Sequence, residues 1–186
     1  MRRHPLARPS RIVMAVATAI ACTWGTAWAA GKAHEHGALK LDMAIEGDKL
    51  TIVMAAPLDN LLGFERAPRN DAERKAASDL LARLRSTEKA ASLFVTDAAA
   101  QCTLGKAEVQ APVLEAGAKS AAKDEHADLD ASYEFSCAKP GELRSVEVGL
   151  FEAYKRVKRI DVQVAGPKGQ ARITLRGQAR KVQLVR

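Results

Sequence analysis

The sequence predicts an α+β fold in a single domain, with a mostly antiparallel sheet, one long helix and one short helix. Most apolar residues alternate with polar residues, which is the period of a half-buried strand. Helical spacing of apolar residues occurs in only a few short stretches. The 186 residues fit one domain better than two. Strands that dominate the chain and are interrupted by helices favour α+β over a parallel α/β fold.

The clearest strands lie at the start of this domain. Residues 39–45 and 50–54 alternate apolar and polar side chains on either side of Gly47-Asp48, and Pro57 ends the second run. Gly and Asp are turn formers, so the two runs predict a β-hairpin. Similar patterns predict seven further strands, at residues 93–96, 102–109, 126–137, 143–148, 160–164, 173–176 and 182–185.

The long helix is expected at residues 71–85. Asn70 is a good N-cap, Glu73 follows three residues later as in a capping box, and one apolar stripe runs along the helix. A short helix is expected at residues 150–157. Residues 57–68 are predicted to form a loop that folds back onto the core, because the segment is unusually apolar.

The first 29 residues are typical of a secretory signal peptide. An apolar run at residues 12–24 is followed by Ala27-Trp28-Ala29, a motif that signal peptidases cleave. The run is too short for a transmembrane segment. Lipoprotein anchoring at Cys22 is disfavoured, because Ala19 replaces the usual Leu. We expect an exported protein with three parts: a signal peptide at 1–29, a histidine-containing segment at 30–38, and a domain at 39–186 whose mobile loop is 112–125.

The net charge gives little reason to expect a nucleic-acid partner. The formal charge of +7 is the difference between 29 Lys+Arg and 22 Asp+Glu. Residues 1–29 contain four arginines and no acid, so their removal leaves a formal charge of 7 − 4 = +3.

No Gly-x-Ser-x-Gly, His-Glu-x-x-His or glycine-rich phosphate loop occurs. We therefore expect no enzyme.

Two cysteines remain after the signal peptide is removed. An even pair in an exported protein predicts one disulfide, between Cys102 and Cys137. The alternative is a redox or metal-binding thiol pair, which the wide spacing without a Cys-x-x-Cys motif disfavours.

The three histidines that remain are candidate zinc ligands. His34 and His36 are two residues apart, so both imidazoles lie on one face of an extended chain and can reach one metal ion. His126 begins a strand whose polar face continues with Asp128, and carboxylate oxygen can complete the shell of zinc. The alternatives are solvated histidines in a tail and a polar strand edge. Cleavage after Gly31 would instead create an N-terminal copper or nickel site with His at the third position.

Several motifs in order resemble the ZrgA-type zinc uptake proteins of Gram-negative bacteria, small periplasmic proteins formerly classed as a domain of unknown function. These motifs are His34-Glu35-His36-Gly37, Ala56-Pro57-Leu58-Asp59-Asn60-Leu61-Leu62-Gly63-Phe64-Glu65, His126-Ala127-Asp128-Leu129 and Tyr133-Glu134-Phe135-Ser136-Cys137. The resemblance covers residues 34–186, and the Pro-x-x-Asn-x-x-Gly-Phe-Glu stretch is its most specific part.

The resemblance implies a periplasmic accessory protein that binds zinc, takes part in zinc uptake and homeostasis without catalysis, and hands the metal to a periplasmic component of a transporter. It implies that His34, His36, His126 and Asp128 are the metal ligands. One difference stands out: residues 118–125 contain no histidine where such proteins carry a His-rich loop, and two lysines there repel a divalent cation. The alternative is therefore a metal-independent periplasmic structural or protein-interaction module.

Overall fold

The computed structural model describes residues 35–115 and 127–185. The signal peptide expected at residues 1–29 lies outside the described residues, as do His34, His126 and most of the loop expected at residues 112–125. The elements are β1 (Ala38–Glu46), β2 (Lys49–Pro57), α1 (Leu58–Leu62), α2 (Asp71–Arg85), α3 (Thr87–Ala91), β3 (Phe94–Thr96), β4 (Cys102–Gln110), β5 (Asp128–Cys137), β6 (Ser145–Val148), α4 (Leu150–Ala153), β7 (Arg159–Gly166), β8 (Gly169–Arg176) and β9 (Lys181–Gln183). Short 3₁₀-helices lie at Ala98–Ala100, Pro112–Leu114 and Pro140–Glu142.

The described strands form two sheets. The larger sheet has the order β4-β5-β2-β1-β7-β8, and the smaller one has the order β3-β6-β9. Neighbouring strands are antiparallel except β1 and β7, which run parallel. The predicted hairpin is present as β1 and β2, with Glu46 opposite Lys49 and Gly47 in the turn at φ 62°. Gly adopts this left-handed conformation without the steric cost that other residues meet.

The expected α+β fold with one long and one short helix is wrong. The described chain is sheet-rich, its strands are divided between sheets of six and three strands, and its helical residues are divided among several small helices. One of these, α1, lies inside the segment that we expected to be a loop, and α4 is shorter than the expected helix at 150–157. Alternation shows which residues lie on strands, but it carries no information on how strands group into sheets.

Both sheets contribute to one hydrophobic core. The inward-facing residues of β1, β2, β5 and β7 are buried, and so are residues from each strand of the smaller sheet. Phe94 on β3 and Tyr133 on β5 lie with their ring centroids 5.2 Å apart, which links the two sheets. Helices α2 and α3 pack against β4. Among the described residues, no helix is long and apolar enough to cross a membrane.

Helix α2 has the bounds that its sequence predicts, and its N-terminus is capped by side chains. The side chain of Asn70 accepts a hydrogen bond from the Glu73 N–H at 2.8 Å. The Glu73 carboxylate accepts from the Arg69 N–H at 2.7 Å and pairs with Arg66, instead of returning to the Asn70 N–H as in a capping box. The hydrogen bond from Arg66, with that from the Arg69 N–H, lowers the pKa of Glu73 to about 2.

The predicted disulfide is confirmed. Cys102 and Cys137 are bonded to each other and lie directly opposite on the neighbouring strands β4 and β5. The bond closes a stretch of 35 residues. This covalent link therefore fixes the register of the edge strand β4.

Candidate metal centre

The segment that carries His36 lies at the end of the larger sheet where β1 begins and β2 ends. Gly37 anchors this segment, because its carbonyl oxygen accepts hydrogen bonds from the N–H groups of Lys158 at 2.7 Å and Arg159 at 2.9 Å. Gly37 has φ 84°, a conformation that glycine adopts readily. The chain therefore turns at Gly37 and enters β1 directly beside the start of β7.

Asn60 on α1 holds the same segment from the other side. Its side chain is almost fully buried, with the residue 1% exposed. Its Oδ1 accepts from the Gly37 N–H, and its Nδ2 donates to the Ala38 carbonyl oxygen, both at 2.6 Å. An amide with one acceptor and one donor group satisfies both backbone groups at once. Helix α1 thus fixes the position of the chain immediately after His36.

His36 contacts the residue that precedes Asn60. Its Nδ1 lies 3.1 Å from Oδ2 of Asp59. The His36 side chain is 70% exposed, whereas the Asp59 side chain is 13% exposed. An exposed imidazole is therefore held by a carboxylate that is itself anchored in the fold.

Arg156 anchors that carboxylate. Its Nη2 donates to both carboxylate oxygens of Asp59 at 2.7 Å, and its Nε donates to the Asp59 carbonyl oxygen at 2.8 Å. The hydrogen bond from Arg156 is the main reason that the pKa of Asp59 lies below its usual value, because it outweighs the effect of burial; the contact with His36 acts in the same direction. Asp59 is therefore an anion with two cationic or polar partners.

A second ion pair lies beside this cluster. The guanidinium of Arg159 donates to both carboxylate oxygens of Glu35, at 2.8 and 2.7 Å, and its Nε donates to Asp161 at 3.0 Å. The paired carboxylates raise the pKa of Arg159 further above its usual value. Both arginines near His36 therefore face a carboxylate partner.

Two of the four predicted metal ligands are described, and both lie at this end of the sheet. Asp128 is paired with Pro57, the residue before α1, in the ladder between β2 and β5. The Ala127 carbonyl oxygen accepts from the Leu58 N–H at 3.0 Å. His34 and His126 lie outside the described residues. Within residues 35–115 and 127–185, no three His, Cys, Asp or Glu side chains are grouped as metal ligands.

The donor atoms at this end of the sheet suit a borderline metal ion. An imidazole nitrogen and a carboxylate oxygen are both ligands that zinc accepts. The contact between His36 and Asp59 also matches the usual environment of a ligating histidine, whose other ring nitrogen is held by a carboxylate or a carbonyl. The described residues therefore fit zinc chemistry as part of a ligand set.

Sequence reasoning missed Asp59, Asn60 and Arg156 as contributors to this site. Asp59 and Asn60 lie in the segment that the sequence predicts to be a loop, and no local pattern links Arg156 to them. One signal was available, because two polar residues lie among leucines in a segment expected to pack on the core. Buried polar side chains need hydrogen-bond partners.

Comparison with known proteins identifies the family of the chain. No match is found among the curated proteins. The model of the family described as "ZrgA family zinc uptake protein" matches residues 33–184. The match includes His34, His36, the α1 segment and the region from His126 to Cys137. The chain belongs to the ZrgA family of zinc uptake proteins.

Proposed function

We propose that the protein is a periplasmic accessory protein that binds zinc and supports zinc uptake and homeostasis, without catalysing a reaction. In this proposal, the signal peptide at residues 1–29 directs export, and the histidine-containing segment at residues 30–38 binds the metal together with the domain at residues 39–186. The ligands are His34, His36, His126 and Asp128. The recipient of the metal is a periplasmic component of a transporter.

The observation that carries the proposal is the fixed position of His36 beside α1, at the same end of the sheet as Asp128. The Asn60 side chain accepts from the Gly37 N–H and donates to the Ala38 carbonyl oxygen, and Asp59 holds the imidazole. Strand β5 begins at this same end, since the Ala127 carbonyl oxygen contacts the first residue of α1. A histidine held in place by its fold loses less conformational freedom on binding a metal than one in a free tail.

Titration calorimetry of zinc into the processed protein tests the proposal. We expect the wild type to bind zinc, and His34→Ala/His36→Ala to bind at least about tenfold more weakly, which corresponds to about 1.4 kcal/mol. His126→Ala and Asp128→Asn should each weaken binding as well, because each removes one donor. Indistinguishable isotherms for the wild type and His34→Ala/His36→Ala would contradict the proposal.

Asp130→Asn is the matched control for Asp128→Asn. Both residues lie on β5 two positions apart, so their side chains point to the same face of the sheet. Asp130 is exposed and lies further from the end of the strand. Equal losses of affinity in both variants would indicate a general charge effect in place of a ligand role for Asp128.

A second candidate function is a metal-independent periplasmic interaction module. It is favoured by the pairing of Asp59 with Arg156, which already neutralises the carboxylate nearest to His36. Dialysis of the processed protein against zinc, followed by elemental analysis, separates the two functions. The zinc proposal predicts about one zinc ion per chain, and the interaction module predicts none.

A further inference from the structure

We propose that Asp59 is a positioning residue that fixes the tautomer of His36 and thereby presents Nε2 as the metal-binding atom. This inference rests on the proposed zinc site and adds to it a residue that is itself no ligand. It follows from the contact between His36 Nδ1 and Asp59 Oδ2 and from the way the rest of the fold holds Asp59.

The protonation of the two partners determines the tautomer. A carboxylate that accepts from a guanidinium is ionised, and an ionised carboxylate has no proton to donate. The 3.1 Å contact is therefore a hydrogen bond only when His36 Nδ1 carries the proton and donates it to Asp59. In the neutral ring, Nε2 then has the free lone pair that a metal ion requires.

Asp59 can act in this way because its own position is fixed. Its carboxylate accepts two hydrogen bonds from Arg156, and the Arg156 Nε holds its backbone carbonyl oxygen. The next residue, Asn60, is buried and tied to both sides of the turn that follows His36. Asp59 belongs to α1, and the turn that follows His36 is hydrogen-bonded to α1 through Asn60. The same short helix therefore holds both the imidazole and the carboxylate that orients it.

The expected gain is in affinity, without an additional ligand. A carboxylate behind a ligating histidine holds the ring in one orientation and makes the ligand nitrogen more basic. Loss of such a partner typically lowers metal affinity about 10–100-fold. The carboxylate of Asp59 also accepts hydrogen bonds from Arg156. Asp59 therefore orients the imidazole of His36 and does not itself coordinate the metal ion.

The tautomer of His36 in the metal-free wild-type protein is the first test. Long-range ¹H–¹⁵N spectra distinguish a ring protonated only at Nδ1, a ring protonated only at Nε2 and a doubly protonated ring. We expect the Nδ1–H form. A predominant Nε2–H form would overturn the inference, and this measurement requires no variant to fold.

Asp59→Asn is the second test, because it keeps the shape of the side chain and changes its hydrogen bonding. The amide oxygen would face Arg156, which only donates, so the amide NH₂ would face His36 Nδ1 and require it to accept. The ring would change to the Nε2–H form, and zinc would bind about 10–100-fold more weakly. Unchanged affinity, or weaker binding with the Nδ1–H form retained, would each overturn the inference.

Asp97→Asn is the matched control. Asp97 is also a carboxylate held within the fold, since it accepts from the N–H groups of Arg144 and Ser145 at 2.7 and 2.6 Å, but it does not contact His36. We expect this variant to lose stability and to keep both its zinc affinity and its His36 tautomer. A loss of affinity equal to that of Asp59→Asn would trace the effect to destabilisation and overturn the inference.

His36→Ala separates this inference from the proposed function. If His36→Ala leaves zinc binding unchanged, the proposed zinc site is wrong and Asp59 has no ligand to position. If His36→Ala weakens binding but Asp59→Asn does not, the zinc site stands and only the role of Asp59 is wrong.

Discussion

The two ends of the larger sheet are closed in different ways. The disulfide end comprises Cys102, Cys137 and the β1–β2 turn. Here the strands are held together by a covalent bond and by main-chain hydrogen bonds, such as that from the Cys137 N–H to the Asp48 carbonyl oxygen at 2.8 Å. The histidine end comprises residues 35–38, α1 and Arg156–Arg159. Here side chains make most of the hydrogen bonds that hold the segments together.

This difference separates stability from recognition. Main-chain hydrogen bonds can form with many side chains, and the disulfide joins two strands without presenting an imidazole or a carboxylate to a metal ion. The histidine end instead uses an imidazole, an amide and a carboxylate whose chemistry is specific, and it leaves His36 largely exposed. We therefore expect substitutions at the disulfide end to alter stability alone, and those at the histidine end to alter stability and zinc affinity together.

The largest expected effect is the loss of the disulfide. Replacing both cysteines with serine removes a link that closes 35 residues, which should lower the free energy of unfolding by about 3–4 kcal/mol on the chain-entropy account. Zinc affinity should stay within about twofold at a temperature where the variant is folded. Denaturant unfolding and calorimetry measure the two quantities, and a large loss of zinc affinity would contradict the separation of the two ends.

Much of the disulfide end could be predicted from the sequence. The alternation of residues 126–137 predicts that Cys137 lies on a strand, and an even pair of cysteines in a chain that is expected to be exported indicates their bond. The pairing of β1 with β7 could not be predicted, since it joins Ala38 to Arg159 and neither segment carries a local signal for the other. Tertiary packing selects such partners.

The histidine end could be predicted only in part. The spacing of His34 and His36 identified the candidate ligands, because that pattern is local. His36 contacts Asp59, which lies 23 residues away, and Asp59 in turn pairs with Arg156, a further 97 residues along the chain. The contact requires α1, which forms in a segment that the sequence predicts to be a loop. The site therefore depends on an element that the apolar pattern did not reveal.

Asn60→Ala should have the next largest effect and should change both properties. The substitution leaves the Gly37 N–H and the Ala38 carbonyl oxygen without their side-chain partner, at a cost of about 1–3 kcal/mol. It also releases the turn that follows His36, so zinc should bind more weakly.

Asn70→Ala is the matched control for this substitution. It removes the N-cap of α2 and should cost about 0.5–2 kcal/mol, with zinc affinity unchanged. Denaturant unfolding and zinc titration of the two variants give the comparison. If both lose zinc affinity equally, the histidine end is no more closely linked to binding than a distant helix terminus.

Acid provides the smallest and most graded test, because each end has one carboxylate whose pKa is lowered. At the histidine end, Arg156 lowers the pKa of Asp59. In the segment that leads from β3 to Cys102 at the disulfide end, burial alone would raise the pKa of Asp97, but hydrogen bonds from the N–H groups of Arg144 and Ser145 outweigh burial and lower it. A lowered pKa in the folded state stabilises the protein above the unfolded value of about 4, and this contribution is lost as the pH falls through the folded value.

We therefore expect the free energy of unfolding to fall as the pH drops below about 4, and less steeply in Asp59→Asn and Asp97→Asn than in the wild type. The stability difference between the wild type and each variant should be greatest near neutral pH and should shrink in acid. Denaturant unfolding at several pH values measures it, with Asp79→Asn as the control, because Asp79 is an exposed carboxylate paired with Lys75 on α2. A difference that stays constant from neutral pH into acid would show that the two carboxylates stabilise the ends by shape and not by charge.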